Sequence, residues 1–321
     1  MPYSMVLGAN GQDGSYLVDC LLNRGHHVIG VGRRPSSLYQ VNDSRFQYIS
    51  VDVGISNCLA DLLSSFSLDF VFHTAAVHGP SGFEYEAVWQ SMMAVNVGSV
   101  FTVLEHARAK ARNLRVVFAG SSKIFPAPLS GKINEDTIAR GSCLYSISKI
   151  ASRDLLAYYR QCFGIPTTNL ILFNHESPRR PFNYVFPQLV DAIGSALTGS
   201  RQKSVVRTLD FKIDWSAADE LMDIVVDIAQ NTEVPELVLA SGYTWDGRDA
   251  VKQLFAHYGM DWARFIEVTL SGLDAGPQFR VDLDRLSKAV GRVPTKSIFD
   301  IAEDIISVRY GLRATPSVFR V

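Results

Sequence analysis

The sequence predicts an α/β protein, a doubly wound parallel sheet followed by a smaller, mixed α/β C-terminal part. Three observations carry that expectation. Short apolar runs alternate with longer amphipathic stretches through residues 3–173, the rhythm of strand, crossover helix and parallel strand. The first apolar run is followed at once by glycines spaced Gly8-x-x-Gly11-x-x-Gly14 and then by a helical pattern. Past Asn174 the segments become shorter and mixed, without repeats or low-complexity stretches. The expected division is 1–174 and 175–321, interleaved and lacking a clean linker.

In chain order, Tyr3 to Leu7 reads as the first strand and Tyr16 to Arg24 as the first helical pattern. Strand, glycine turn and helix together form the context of a Rossmann dinucleotide-binding turn, where backbone approaches a pyrophosphate at the helix N-terminus. His27 to Gly32 is the second strand and ends in Arg33-Arg34. NAD calls for an acidic residue there to hold its ribose hydroxyls. Two guanidinium groups suit a 2′-phosphate instead, so NADP is expected over NAD. Strand three, Phe46 to Val51, delivers Asp52 to the adenine end, and strand four, Asp69 to Phe72, runs into His73-Thr74-Ala75-Ala76. Glu86 to Arg112 reads as helical, with Asn96 inside it, and Leu114 to Ala119 as a fifth strand that delivers Gly120-Ser121-Ser122-Lys123. Cys143 to Phe163 is a helix and Thr167 to Phe173 a sixth strand. Beyond it, helices are expected at 185–197, 218–229 and 247–258, and short strands at 204–209, 237–240 and 265–269.

The chain has 321 residues, 47% hydrophobic and 20% charged, with a net charge of −1. That balance suggests neither a nucleic-acid nor a membrane partner. No apolar run is read as membrane-spanning, and the early first strand leaves no room for a signal peptide. Cys20, Cys58, Cys143 and Cys162 lack metal-site spacing, so reduced thiols and a cytoplasmic location are expected. His73, His78 and His175 have no metal-like spacing either, and core or backbone-bonded histidine is the expectation for each. Glu176 reads as a buried carboxylate that holds its loop.

Chemistry is expected at Tyr145-x-x-x-Lys149. On a helix this spacing sets phenol and ammonium on one face, one turn apart. An ordinary tyrosine has a pKa near 10, and a neighbouring cation lowers it toward general acid/base use. Ser121, at the carboxyl end of the fifth strand, faces the same crevice in a parallel sheet of this kind.

Taken together, the glycine turn, Asp52, Asn96, Ser121, Tyr145 and Lys149 resemble the extended short-chain dehydrogenase/reductases that modify nucleotide sugars. Gly11-Gln-Asp-Gly-Ser-Tyr-Leu17, Arg33-Arg34-Pro-Ser-Ser37, Leu172-Phe-Asn-His-Glu-Ser-Pro-Arg-Arg180 and Asp214-Trp215 resemble the GDP-mannose 4,6-dehydratase group in particular. The resemblance covers nearly the whole chain and thins after about Asp219. It implies oxidation of the sugar C4 hydroxyl by bound NADP, elimination of water across C5 and C6, and return of the hydride to C6. By position Tyr145 is the C4 base, Lys149 its electrostatic partner and ribose ligand, and Ser121 the hydroxyl bonded to the C4 oxygen. It also implies cofactor contacts from Gly8, Asn10, Gly11, Gln12, Asp13, Gly14, Arg33, Arg34, Asp52, Val53, Thr74, Ala75, Ala76, Asn96, Phe173 and His175. Substrate contacts are implied for His78, Ser122, Asn174, Asn183, Val185, Gln188 and Arg280. A homo-oligomer is implied as well, tetramer or dimer, because the 33–39 loop and Pro178-Arg-Arg180 match parts that reach across subunits.

The departures are as informative. The elimination glutamate, two residues after the serine, is Lys123 here. An ordinary lysine is a poor base at neutral pH, and loss of a positioned acid/base typically costs roughly 10²- to 10⁴-fold. Pro187 and Gln188 stand for an Arg and a Lys, Ile213 for the basic residue before Asp-Trp, and Pro277-Gln-Phe-Arg-Val-Asp282 for Arg-Pro-x-Glu-Val-Asp. Arg280, Arg179 or Arg207 are the candidates to compensate. The expected function is therefore a 4-keto-sugar reductase or C4 epimerase acting on a nucleotide sugar, GDP-linked. The alternatives are a 4,6-dehydratase with an unconventional acid/base and a non-catalytic NADP-binding subunit.

Overall fold

The computed structural model describes residues 1–39, 41–80 and 82–312. Its first half runs β1 (Tyr3–Leu7), α1 (Gln12–Asn23), β2 (His27–Gly32), β3 (Phe46–Ser50), α2 (Ser56–Ser64) and β4 (Phe70–His73). Then come α3 (Trp89–Met93), α4 (Ser99–Lys110), β5 (Arg115–Ala119), β6 (Gly131–Ile133), α5 (Leu144–Phe163) and β7 (Thr167–Leu172). The second half runs β8 (Asn174–Glu176), α6 (Val185–Leu197), β9 (Ser204–Val206), β10 (Lys212–Ala217), α7 (Ala218–Asn231) and β11 (Glu236–Leu239). It ends with β12 (Thr244–Asp246), α8 (Gly247–His257), β13 (Ile266–Val268), β14 (Phe279–Val281), α9 (Asp284–Val290) and α10 (Ile298–Tyr310).

Seven strands form one parallel sheet in the order β11-β7-β5-β4-β1-β2-β3. It is buried on both faces, as all-parallel sheets are. Successive residues of β1 show this: Val6 joins the layer of α1 and α7, while Met5 and Leu7 join that of α2, α4 and α5. β11, read from sequence as a short strand of the second half, pairs with β7 and completes this sheet. Of the second half, α6, β9, β10, α8, β13 and α10 gather around Phe186, Trp215, Phe255 and Ile301 in a core of their own, whereas α7 and α9 pack on the main sheet. Strand order reverses between β2–β1 and β4–β5, and crevices open at such switch points beyond the strand carboxyl ends.

One expectation is corrected here. The helical run Glu86–Lys110 is, by length and composition alone, long and apolar enough to cross a membrane. In the fold Val100, Val103, Leu104 and Ala107 of this run face the sheet within the α2–α5 layer. The run is also not one regular helix, because Ala94–Gly98 forms a π turn between α3 and α4. The four cysteines are free, and no metal-like cluster occurs among the described residues.

Candidate active site

The glycine turn builds a cradle. Gly8 lies at φ 97°, where a side chain is strained, and a β-carbon on it would sit 2.7 Å from the Ala75 amide nitrogen. Gly14 sits beneath, where a β-carbon would meet the Gly8 carbonyl oxygen at 2.2 Å. Gly11 is the N-cap of α1 and offers no side chain, so the first-turn amides are left for another acceptor. A cavity of about 300 Å³ opens over the turn. Gly8, Asn10, Gly11, Arg33, Arg34 and Asp52 wall it, together with Val53 and Thr74, Ala75 and Ala76 beyond β4.

Asn10 also fixes the loop after β2. Its amide donates to Tyr48 Oη at 2.9 Å and to the Ser36 carbonyl at 3.2 Å, and its Oδ1 accepts from the Leu38 amide at 2.7 Å. That lacing keeps Arg33 and Arg34 at the cavity mouth with their side chains exposed. Close backbone approach and an uncapped helix end fit the pyrophosphate of a dinucleotide.

A second cavity, about 180 Å³, lies beside the first and holds the catalytic candidates. β5 ends at Ala119 and Ser121 caps a short turn, its Oγ accepting from the Lys123 amide at 3.2 Å. α5 brings Tyr145 and Lys149 to the same wall, buried to 6% and 2% exposure. The helix is held at both ends: Ser146 Oγ accepts from the Cys143 amide at 3.0 Å, and Gly164 stops it in the left-handed conformation. Ser122, Lys123, His78 and Asn174 line the cavity too. The His78 ring stacks on Tyr145 with centroids 4.2 Å apart, and its Nδ1 lies 2.7 Å from Tyr85 Oη. Burial, reinforced by the Lys123 charge, holds the His78 pKa at about 3, so the imidazole is neutral.

The expected effect of Lys149 on Tyr145 is not met in this geometry. Burial raises the tyrosine pKa above its ordinary value, and only the Ser121 hydrogen bond, among its neighbours, pulls it back. Lys149 donates to the Ala119 carbonyl at 2.6 Å, and its ammonium stands 5.7 Å from the Tyr145 ring centroid. Burial also brings its own pKa down to about 7, which removes part of its charge at neutral pH.

Several implied contacts fall elsewhere. Gln12 is buried and used within the protein, donating to the His175 carbonyl at 3.1 Å and accepting from Ser177 Oγ at 2.8 Å. Asp13 and His175 reach the second cavity but bind each other, Nε2 to Oδ1 at 2.8 Å, while His175 Nδ1 donates to the Phe173 carbonyl at 2.7 Å. Against burial, His175 and Arg180 bring Asp13 down to about 2, and Asp13 in turn raises His175, so the two form a part-buried ion pair. Phe173 is buried in the wall of the same cavity. Asn96 is fully buried beneath it, its Oδ1 accepting from the Val77 amide at 2.8 Å and its amide donating to Ser148 Oγ at 3.0 Å. It supports the floor and is closed to ligand.

On the substrate side, Asn183, Val185, Gln188 and Arg280 are not in the wall of the second cavity. Asn183 is exposed ahead of α6, Val185 packs on the C-terminal core and Gln188 lies within α6. Arg280 is exposed on β14, where it borders a separate hollow with Lys132. Arg179 is taken as well: its guanidinium lies 4.1 Å from the Tyr16 ring centroid and 2.7 Å from Asp19 Oδ2. Arg207 comes up against Gly82. The residue that sequence reasoning passed over is Arg180. It lines the cavity, 3.7 Å over the Tyr184 ring, with Nε 3.5 Å from the carboxylate of Glu176. Glu176 is buried behind it, and burial pushes its pKa up to about 7. The signal for Arg180 was its place at the end of the 172–180 string.

A doubly wound sheet with Ser121, Tyr145 and Lys149 converging beside a dinucleotide turn defines an NAD(P)-dependent enzyme of the extended short-chain dehydrogenase/reductase class. The model of the GDP-mannose 4,6-dehydratase family matches residues 5–279, and the chain belongs to that family. It is 30% identical to a GDP-mannose 4,6-dehydratase of Sordaria araneosa over 81% of this chain and 49% of that protein, so it spans about half the fungal relative's length. It is 29% identical to GDP-mannose 4,6 dehydratase 2 of Arabidopsis thaliana, covering 83% of this chain and 74% of the relative. The fold is shared with dTDP-glucose 4,6-dehydratase of Bacillus anthracis in complex with NAD (TM-score 0.81, 15% identity, 96% of each chain). It is also shared with UDP-glucuronic acid 4-epimerase of Bacillus cereus in complex with NAD (TM-score 0.78, 21% identity, 96% of this chain and 99% of that one).

Proposed function

We propose that the protein exchanges hydride at C4 of a nucleotide-linked sugar, GDP-linked by kinship, as a 4-keto-sugar reductase or C4 epimerase that uses NADP. The observation that carries this reading is one cavity holding Ser121, Tyr145 and Lys149, with Lys123 where the family's elimination carboxylate belongs. The cofactor, when bound, accepts or donates the hydride. Ser121 and Tyr145 hold the C4 oxygen between them, and Tyr145 takes or returns its proton. A raised tyrosine pKa suits the proton-donating, reducing direction, and a positive charge drawn into the cavity lowers it for the oxidising one. In this reading residues 1–174 carry the cofactor and 175–321 close over the sugar. Self-association is part of it too, supported by the exposed Phe101, Ile147 and Tyr158 on α4 and α5.

For the cofactor, Arg33→Ala is expected to weaken NADP roughly ten- to a hundredfold and NAD far less, the worth of one charge-assisted contact to the 2′-phosphate. Calorimetric titration of both cofactors checks it, and equal losses refute the NADP assignment.

A second reading, retention of 4,6-dehydratase activity, is favoured by the family's name and the relatives'. Incubation of the NADP-loaded protein with GDP- and UDP-sugars in D2O, with and without NADPH, separates the two. Net NADPH oxidation on a 4-keto sugar marks a reductase, and a C4 epimer without net cofactor change marks an epimerase. A 4-keto-6-deoxy product labelled at C5 marks the dehydratase. No conversion, with NADP still bound, overturns both and leaves a non-catalytic subunit.

A further inference from the structure

We propose that the substrate sugar carries a carboxylate on the carbon next to the one that exchanges hydride, a nucleotide-linked hexuronate, and that Lys123 selects it. The proposal rests on the hydride-exchange reading above and deepens it.

The reasoning begins with charge. The ion pairs of the cavity wall are His175 with Asp13 at 2.8 Å and Arg180 with Glu176 at 3.5 Å. Lys123 lines the same cavity and belongs to neither pair. Lys149, the other lysine of the wall, is buried and donates to the Ala119 carbonyl at 2.6 Å, which leaves Lys123 as the exposed wall cation that no ion pair among the described residues engages. A neutral hexose brings hydroxyl groups that need no cation, whereas a carboxylate forms strong charge-assisted hydrogen bonds with one.

Position then decides which anion. A nucleotide sugar already carries a diphosphate, but on C1, across the pyranose ring from C4. The carboxylate of a hexuronate is C6, borne by C5 and therefore adjacent to C4. The Lys123 amide is bonded to Ser121 Oγ at 3.2 Å, which ties the residue to the hydroxyl facing Tyr145. His78, whose ring centroid lies 4.2 Å from that of Tyr145, lines the same cavity, and the Lys123 charge helps to hold it neutral. The Ser121 bond and the shared cavity set Lys123 beside Ser121 and Tyr145, the groups that face C4.

The reaction balances without a further reagent. The C4–H electron pair leaves as hydride to the oxidised nicotinamide, and the C4 hydroxyl proton passes to Tyr145, giving a 4-keto hexuronate and reduced cofactor. Return of the same hydride to the opposite face of C4, with the proton from Tyr145, gives the C4 epimer and restores the oxidised cofactor.

The test compares kcat/KM for GDP- and UDP-linked hexuronates with that for the matching hexoses on the NADP-loaded protein, following C4 by NMR. Wild type is expected to favour the hexuronate roughly ten- to a hundredfold. Lys123→Gln should collapse that ratio toward one, and Lys123→Arg should keep most of it. Lys123 is exposed on a short turn, so neither variant threatens the fold. A wild type that turns over hexose as well as hexuronate overturns the proposal while the hydride-exchange reading stands. So does a Lys123→Gln variant that slows both sugars equally, which makes the lysine a diphosphate ligand. Conversion of neither sugar, with NADP bound and no NADPH oxidised when the matching 4-keto sugars are supplied, overturns the hydride-exchange reading and the proposal together.

Discussion

Tyr145→Phe is expected to lower turnover at least ~10²-fold while leaving NADP affinity nearly unchanged. The ring makes most of this residue's contacts. It stacks on His78, lies 5.7 Å from the Tyr85 ring centroid and packs with Met92, and phenylalanine keeps all of that. What goes is the hydroxyl that shares the cavity with Ser121 and carries the transferable proton. The dinucleotide cradle lies in the neighbouring cavity and is untouched. Loss confined to kcat, with cofactor titration unmoved, identifies a group that acts on the reacting oxygen. A phenylalanine variant with near wild-type turnover ends the catalytic reading of the α5 pair.

Why was so much of this arrangement legible? The parallel strands announce themselves because burial on both faces demands continuous apolar runs, as in Met5, Val6 and Leu7, all at 0% exposure. The Tyr-x-x-x-Lys pair was legible because helical periodicity alone fixes which residues share a face. Polar first turns were harder. α1 begins at Gln12, four residues before the periodic pattern starts at Tyr16, because Gln12 and Asp13 serve the site and not the core. The Asp13–His175 pair spans 162 positions, and nothing local in either segment announces it. β11 was readable as a strand but not as an edge of the main sheet, since its partner β7 lies more than sixty residues away. α10 was missed although Ser297 and Asp300 form the capping box that opens it.

Three of the residues carried over by resemblance lie outside the walls of the two cavities, each for the same kind of reason. Asn96, Val185 and Arg280 sit where motif positions put them. Their side chains are directed by packing to a buried floor, a C-terminal core and an outer hollow. A motif match names a backbone position, and the direction of a side chain depends on neighbours that the motif does not contain. Lys123 shows the converse. One substituted position, read for its charge, remained the most useful guide to the cavity's chemistry once the fold had placed it beside Ser121.

The other large effect is expected from Gly14→Ala. A methyl group at Gly14 would lie 2.2 Å from the Gly8 carbonyl oxygen, 2.7 Å from its carbon and 2.9 Å from the Ala9 α-carbon. All three are backbone atoms of the turn itself, so no side chain can rotate away and α1 must lift off β1. Overpacking of this kind costs typically 1–3 kcal/mol of stability. The functional loss should be larger than that figure suggests. The helix N-terminus that receives the pyrophosphate moves with α1, and a misplacement of about 1 Å can cost on the order of a hundredfold. Gly11→Ala supplies the contrast, because its methyl would stand 3.2 Å from the same Gly8 oxygen. That variant is expected to lose less stability, though it also intrudes on the cofactor cavity. Thermal unfolding and cofactor titration of both variants check the pair. A Gly14→Ala protein that melts with the wild type and binds the dinucleotide normally would show that the turn does not set the helix against the sheet as the structure describes.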